Sequence, residues 1–96
     1  MSAYFVFNYQ ISDQEAYDPY LAEVPKTLEA HNAEILAADF ESEGFEGDAK
    51  QVTIVLKFPS KEAAKNWYQS PEYQKIIGLR LNNSDGISTL INGMDS

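Results

Sequence analysis

The hydrophobic and polar positions of this chain alternate with the short period of strands in some segments and the longer period of helices in others. Residues 3–10, 51–58 and 87–92 are dense in aromatic and β-branched side chains and predict strands. Residues 33–41 predict a further strand with imperfect alternation. The first strand is apolar on both sides, so we expect both faces of the sheet to be covered.

A helix is predicted between the first two strands. The segment SDQE forms a capping box in which the Ser12 hydroxyl accepts from the amide of Glu15 and the Glu15 side chain reaches back. Pro19 and Pro25 each remove a helical amide, so we expect a kink or break near residues 23–25 and a shorter turn that restarts at Pro25. The apolar stripe of this helix is Tyr17, Leu21, Val24, Leu28 and His31.

Two helices in succession are predicted between the last two strands. Ser60 caps a helix that runs to about residue 69, and Ser70 followed by Pro71 marks a new N-terminus for a helix that runs to about residue 83. The faces expected to be buried are Ala63, Ala64, Trp67 and Tyr68 on the first helix and Tyr73, Ile76, Ile77 and Arg80 on the second.

Turn residues connect the remaining elements. Two glycines and an aspartate within residues 43–48 predict the connection between the second and third strands, and Asp85-Gly86 predicts a turn into the last strand, which is followed by a short polar tail. The order β-α-β-β-α(α)-β is the ferredoxin-like α+β pattern, a four-stranded antiparallel sheet with its helices on one face. We expect residues 1–96 to form one such domain.

The second face of this sheet has no cover within so short a chain. At about 25 cal/mol per Å², even about 500 Å² of apolar surface left in water would forgo more than about 10 kcal/mol. Burial against the same face of a second copy is the simplest solution. We therefore expect a homodimer through the open sheet face, a dimeric α/β barrel.

Charge and composition narrow the partners. The first 48 residues hold eleven acids and one base, Lys26, and the rest hold four acids and six bases, for a net charge of −8. The acidic half argues against nucleic acid and anionic membranes; the asymmetry indicates either a solvated acidic face or complementarity between subunits. The chain has neither a run of about 18 apolar residues nor a signal-peptide pattern, so we expect a cytoplasmic protein.

The residue inventory also excludes several chemistries. The chain has no cysteine and one histidine, which leaves no thiol chemistry, no iron–sulfur cluster and no catalytic zinc triad. Its five glycines fit neither a dinucleotide-binding nor a Walker pattern. We therefore expect no metal and no cofactor.

His31 is the candidate catalytic residue, because histidine is the side chain whose unperturbed pKa suits a general base near neutral pH. The alternative is a histidine that caps carbonyls at the end of the first helix. Asp39 is the candidate partner that would orient the imidazole.

Arg80 is the candidate anchor for a ligand anion, because a buried guanidinium needs a negative partner. The alternatives are a structural ion pair, or an arginine whose stem packs while its head reaches water. Trp67, Tyr68 and Tyr73 lie on successive turns near it and form either a ligand-stacking wall or part of the core. Asn8, opposite to its apolar neighbours, is expected to hydrogen-bond a ligand or an adjacent strand.

The segment WYQSPEYQ at residues 67–74, followed by Leu79-Arg80, resembles the signature of a bacterial family, domain of unknown function 1330, in the dimeric α/β-barrel superfamily. Further matching pieces are Ser12-Asp13 with Tyr17, Tyr20-Leu21, Val24-Pro25, Ala30-His31, EGD at residues 46–48 and FPSKEA at residues 58–63. The resemblance implies a ferredoxin-like fold and dimerisation, and no assigned activity. Members of the superfamily include cofactor-free monooxygenases, lactone isomerases, dehydratase-like proteins and haem-binding enzymes.

The chain departs from that family at two places. The family usually follows the histidine with two glycines and has an arginine and a glycine pair at the end of the second strand. This chain has Asn32-Ala33 and the segment ADF at residues 38–40 instead. An anion site built on that arginine is therefore expected to be absent.

Two functions follow from these patterns. The first is a homodimer that binds a small anionic organic molecule between sheet and helices, with Arg80 as anchor and His31 supplying cofactor-free acid/base chemistry. The second is a non-enzymatic dimeric module with a structural or interaction role.

Overall fold

The structure, a computed structural model, describes residues 1–95 and contains a four-stranded antiparallel sheet with three helices. The elements are β1 (Ala3–Ile11), α1 (Gln14–Glu29), β2 (Glu34–Asp39), β3 (Val52–Phe58), α2 (Lys61–Tyr68), α3 (Pro71–Leu81) and β4 (Ser84–Asn92). The strand order is β2-β3-β1-β4. The predicted ferredoxin-like α+β pattern is confirmed. The predicted polar tail ends at Ser96, which lies outside the described residues.

The central strand β1 separates the two faces of the sheet. Ala3, Phe5, Phe7 and Tyr9 alternate along it and are buried beneath the helices. The intervening side chains and their cross-strand neighbours form the other face, which we call the open face. It contains Tyr4, Val6 and Asn8 of β1, Thr53, Val55 and Lys57 of β3, and Ile87, Thr89 and Ile91 of β4.

Aromatic side chains fill the core between the sheet and the helices. Trp67 of α2 is fully buried, with its ring centroid 4.0 Å from that of Tyr73 and 5.4 Å from that of Phe58. Its indole Nε1 donates to the Thr27 hydroxyl at 2.9 Å. One side chain thus joins all three helices to the sheet.

The N-terminal cap of α1 differs from the sequence prediction by one residue. Asp13, and not Ser12, is the cap, and its carboxylate accepts from the amide of Ala16 at 3.2 Å. The Ser12 amide donates instead to the carbonyl of Asn83 at 2.8 Å. The residue that follows β1 is therefore held by the short connection between α3 and β4, which local sequence does not reveal.

The predicted break near Pro25 is wrong, because α1 continues through Pro19 and Pro25. Buried residues lie on both sides of Pro25, with Tyr20 before it and Leu28 after it. Packing of both halves on one core outweighs the missing amides.

The predicted turn at Asp85-Gly86 is also wrong, since both residues lie within β4 and pair with Gln10 and Tyr9. A Cβ at Gly86 would overlap the carbonyl oxygen of Asn8 and the Tyr9 backbone. The glycine therefore permits close strand approach and does not form a turn.

The predicted starts of α2 and α3 are confirmed. The Ser60 hydroxyl accepts from the amide of Ala63 at 3.0 Å, and the Ser70 hydroxyl accepts from that of Tyr73 at 3.2 Å. Pro71 occupies the first position of α3. These caps fix the orientation from which Tyr73 and Arg80 enter the core.

Candidate functional site

A cavity of about 130 Å³ lies between α1 and the helix-covered face of β1, β2 and β3. Its lining side chains are apolar except for those of three tyrosines, Tyr9, Tyr17 and Tyr20. Leu21 and Ile35, which also line it, are 38% and 49% exposed, so the cavity opens between α1 and the edge strand β2. A dry cavity of this size accommodates one small ring.

Four buried tyrosines form two hydrogen-bonded pairs beside this cavity. The hydroxyls of Tyr9 and Tyr17 are 2.5 Å apart, and those of Tyr20 and Tyr73 are 2.7 Å apart. Burial raises the pKa of all four phenols above the ordinary value. At neutral pH these groups are therefore neutral hydrogen-bond donors and not phenolate bases.

Arg80 of α3 is 6% exposed and lies behind the cavity wall. Its guanidinium carbon is 5.0 Å from the ring centroid of Phe7 and 5.8 Å from that of Tyr9, and both rings line the cavity. Its Nη2 donates to the Tyr73 hydroxyl at 3.4 Å, and its Nε has no partner.

A structural ion pair, one of the two alternatives for Arg80, is not found among residues 1–95. Burial by itself lowers the pKa of Arg80, but the phenol oxygens of Tyr73 and Tyr20 outweigh that effect, and the net pKa is raised. Arg80 does not line the cavity. Aromatic side chains therefore separate Arg80 from this cavity, and the contact of Arg80 with a ligand anion stays a prediction.

The three aromatic residues predicted near Arg80 lie in the core. Trp67 and Tyr73 are fully buried, and the half-buried Tyr68 ring stacks 5.7 Å from that of Phe5. None of the three lines the cavity. Their arrangement matches the core-packing alternative, although Tyr73 contacts Tyr20, which does line the cavity.

His31 lies just beyond α1 on the side facing α3. Its Nε2 is 3.5 Å from a carboxylate oxygen of Glu72, and its backbone amide donates to the Leu28 carbonyl. It does not line the cavity. Asp39 does not orient it: this exposed residue at the end of β2 accepts from the amide of Glu41 at 2.8 Å. The carboxylate beside His31 is Glu72, which is brought there by the packing of α1 on α3.

Asn8 uses its side chain to hydrogen-bond the neighbouring segment, residues 50–53. Its Nδ2 donates to the carbonyls of Lys50 and Val52 and to the Thr53 hydroxyl at 3.0–3.2 Å. Its Oδ1 accepts from the Lys50 amide at 2.9 Å. This is the second of the two predicted roles, since Asn8 secures the start of β3 and has no polar atom left for a ligand.

The cavity tyrosines are the functional candidates that the sequence pattern does not single out. Tyr9 shares the inward register of Phe5 and Phe7, and Tyr17 and Tyr20 lie three residues apart on one side of α1. The signal that the sequence offers is a tyrosine at a position that points towards the core. A tyrosine at such a position can line a cavity or pack in a filled core, and the sequence does not distinguish the two.

Neither a metal site nor a membrane-crossing segment is found within residues 1–95. In that range no three acidic or histidine side chains are grouped so as to hold an ion. None of the helices there has the length and apolar character needed to span a bilayer.

Several solved structures share this fold at low sequence identity. A Rhodopseudomonas palustris protein of unknown function is 12% identical with a TM-score of 0.79, and the match covers 99% of this chain and 84% of that chain. SnoaB, a cofactor-independent oxygenase from Streptomyces nogalater, is 9% identical with a TM-score of 0.67, covering 99% and 95%. A dimeric ferredoxin-like protein of unknown function from Bacteroides fragilis is 10% identical with a TM-score of 0.58, covering 96% of each chain. These likenesses show the fold alone.

The family of this chain is shown by a match to a protein-family model. No match was found among the curated proteins. The model for a domain of unknown function, DUF1330, matches residues 2–94. That span contains every element from β1 to β4. The chain therefore belongs to the DUF1330 family.

Proposed function

We propose that this protein binds one small organic molecule in the cavity under α1, as a cytoplasmic homodimer joined through the open face. The cavity itself carries the proposal: about 130 Å³ of space lined by apolar side chains and by three tyrosines, which carry hydroxyls. Such a site fits a ligand of about one ring that presents an oxygen to those hydroxyls. The absence of cysteine fits a reducing compartment.

Binding, and not proton transfer by His31, is the activity proposed. His31 pairs with Glu72 outside the cavity, and the phenols inside it stay protonated. The bulk of the ligand is apolar, and any negative charge lies on its oxygen, because Arg80 reaches the cavity through the rings of Phe7 and Tyr9 and through the hydroxyls of Tyr73 and Tyr20.

Filling the cavity tests the binding proposal. Ala38 lines the cavity at the exposed edge strand, so Ala38→Phe places a ring in the opening at little cost to folding. We expect the dissociation constant for p-cresol, measured by titration calorimetry, to rise at least about tenfold, since displaced apolar contacts of one ring are worth more than about 1.4 kcal/mol.

Ala22→Phe is the matched control, because Ala22 is exposed on α1 and does not line the cavity. It should bind p-cresol as the unmodified protein does. No binding of p-cresol at millimolar concentration, or equal affinity in Ala38→Phe, would contradict the proposed site.

The open face supports the homodimer. Val6 pairs with Val55 at its centre, and Ile87 and Ile91 are 69% and 44% exposed towards its edge. Apolar side chains exposed together on one face favour association with a second copy. The dimeric Bacteroides fragilis neighbour has the same fold.

A charge at the centre of this face tests the dimer. In Val55→Lys an ammonium group would be buried without a partner, so we expect the dimer dissociation constant to rise at least about tenfold. Sedimentation equilibrium at micromolar concentrations measures it, with Ala22→Lys on the exposed side of α1 as the control. A monomeric unmodified protein, or a Val55→Lys dimer of equal strength, would remove the dimer from the proposal.

A further inference from the structure

We propose that Arg80, Tyr73 and Tyr20 form a hydrogen-bonded relay that stabilises negative charge on the ligand oxygen, so that the cavity selects a phenol- or enol-type ligand in its anionic form. This inference rests on the proposed function and names the class of ligand. Tyr20 is the contacting residue, and Arg80 and Tyr73 are positioning residues that act through it.

The direction of the relay follows from where each hydroxyl proton can go. Arg80 Nη2 donates to the Tyr73 oxygen at 3.4 Å, and one proton lies between the Tyr73 and Tyr20 oxygens, which are 2.7 Å apart. If Tyr20 donated, the Tyr73 proton would be left without a partner in a fully buried position, which is costly. If Tyr73 donates, the free proton is that of Tyr20, which lines the cavity. A ligand oxygen there completes the chain.

Arg80 supplies the positive charge of this relay. Its side chain is only 6% exposed and its Nε has no hydrogen-bond partner. No carboxylate among residues 1–95 lies within ion-pair distance of it. The faces of Phe7 and Tyr9 offset only part of the cost of burying a cation. An anionic oxygen at the other end of the relay supplies the missing negative charge in a region of low dielectric.

A second tyrosine pair lies in the wall of the same cavity. Tyr9 and Tyr17 share one proton between oxygens 2.5 Å apart, and their side chains are only 2% and 0% exposed. We therefore assign the donor role to Tyr20 of the other pair. Because burial raises the pKa of these phenols and of Tyr20 and Tyr73, they remain donors at the pH where a more acidic ligand ionises.

The experiment uses p-nitrophenol, whose absorbance reports its own ionisation. Bound to the unmodified protein, it should show a pKa lower than in water by about one unit, a tenfold change in its ionisation constant. Tyr73→Phe keeps Arg80 and Tyr20 but interrupts the chain, and should return the pKa of the bound probe towards its value in water.

Tyr68→Phe is the control, because it removes a hydroxyl beside Tyr73, at 5.5 Å between ring centroids, that lies outside the relay. Its bound probe should keep the lowered pKa. If Tyr73→Phe does not fold, Tyr20→Phe removes the terminal donor and must produce the same loss.

The outcomes separate the relay from the binding site. A probe that binds with an unshifted or raised pKa, or that keeps its lowered pKa in Tyr73→Phe, overturns the relay and leaves the binding proposal intact. Failure of both p-nitrophenol and p-cresol to bind overturns both. A merely structural role for Tyr73 would change the affinity or the stability without changing the pKa of the bound probe.

Discussion

Replacing Trp67 with alanine is expected to lower the free energy of unfolding by about 3–5 kcal/mol, a large share of the roughly 5–15 kcal/mol typical of a small domain. The indole is fully buried and touches Phe5, Phe58 and Tyr73, so its removal leaves a void shared by the sheet and two helices. The Thr27 hydroxyl keeps its bond to the Val24 carbonyl, so the loss is one of packing more than of an orphaned donor. Urea denaturation followed by circular dichroism measures it.

Two further substitutions show whether the effect belongs to this position. Trp67→Phe keeps a ring against Tyr73 and should cost less than half as much. Phe45→Ala removes a ring that is 93% exposed, and should change the free energy of unfolding by no more than about 0.5 kcal/mol. A Trp67→Ala loss as small as that of Phe45→Ala would show that the core is not organised around the indole.

The architecture was predictable because its signals are local. Alternation in β1 and β3 and the caps at Ser60 and Ser70 each depend on residues within one turn or one strand. The errors in the fold occur where distant contacts decide. Asp13 and not Ser12 caps α1, next to the hydrogen bond from the Ser12 amide to the distant Asn83. The helix stays continuous at Pro25 because both of its halves pack on the core.

The candidate site was less predictable, because it depends on what meets across the fold. Arg80 was correctly placed on the inward face of α3, but its neighbours come from β1 and its hydrogen bond is to a phenol and not to a carboxylate. His31 was assigned Asp39 as a partner, yet the packing of α1 on α3 supplies Glu72. The spacing of residues along the chain predicts which face of a helix or strand a side chain lies on. A cavity depends on the distances between the faces of different elements, which the spacing does not give.

Raising the pH above about 10 is expected to unfold the protein steeply. Burial raises the folded-state pKa of Tyr9, Tyr17, Tyr20 and Tyr73 above their unfolded value of about 10. Above that pH the unfolded chain releases protons that the folded protein keeps, so the stability present below about pH 10 is lost as pH rises. The two phenols whose pKa is raised furthest, Tyr17 and Tyr20, give a limiting slope of about 3 kcal/mol per pH unit, at about 1.36 kcal/mol for each. Tyr9 and Tyr73 add to this slope only between their unfolded and folded pKa values.

The coincidence of two signals checks this prediction. In an alkaline titration, the ultraviolet absorbance of ionised tyrosine should increase over the same pH range in which the helical circular dichroism is lost. In Tyr17→Phe, the slope of the free energy of unfolding against pH should be smaller by about 1.36 kcal/mol per pH unit, the contribution of one proton. Ionisation of all four phenols near pH 10 with the helices intact would contradict it. That result would also count against the proposed relay, because a phenol that ionises in the folded protein would compete with the ligand oxygen for interaction with the positive charge of Arg80. Steep alkaline unfolding instead means that the folded cavity contains only protonated hydroxyls, the form in which Tyr20 can donate to a ligand oxygen.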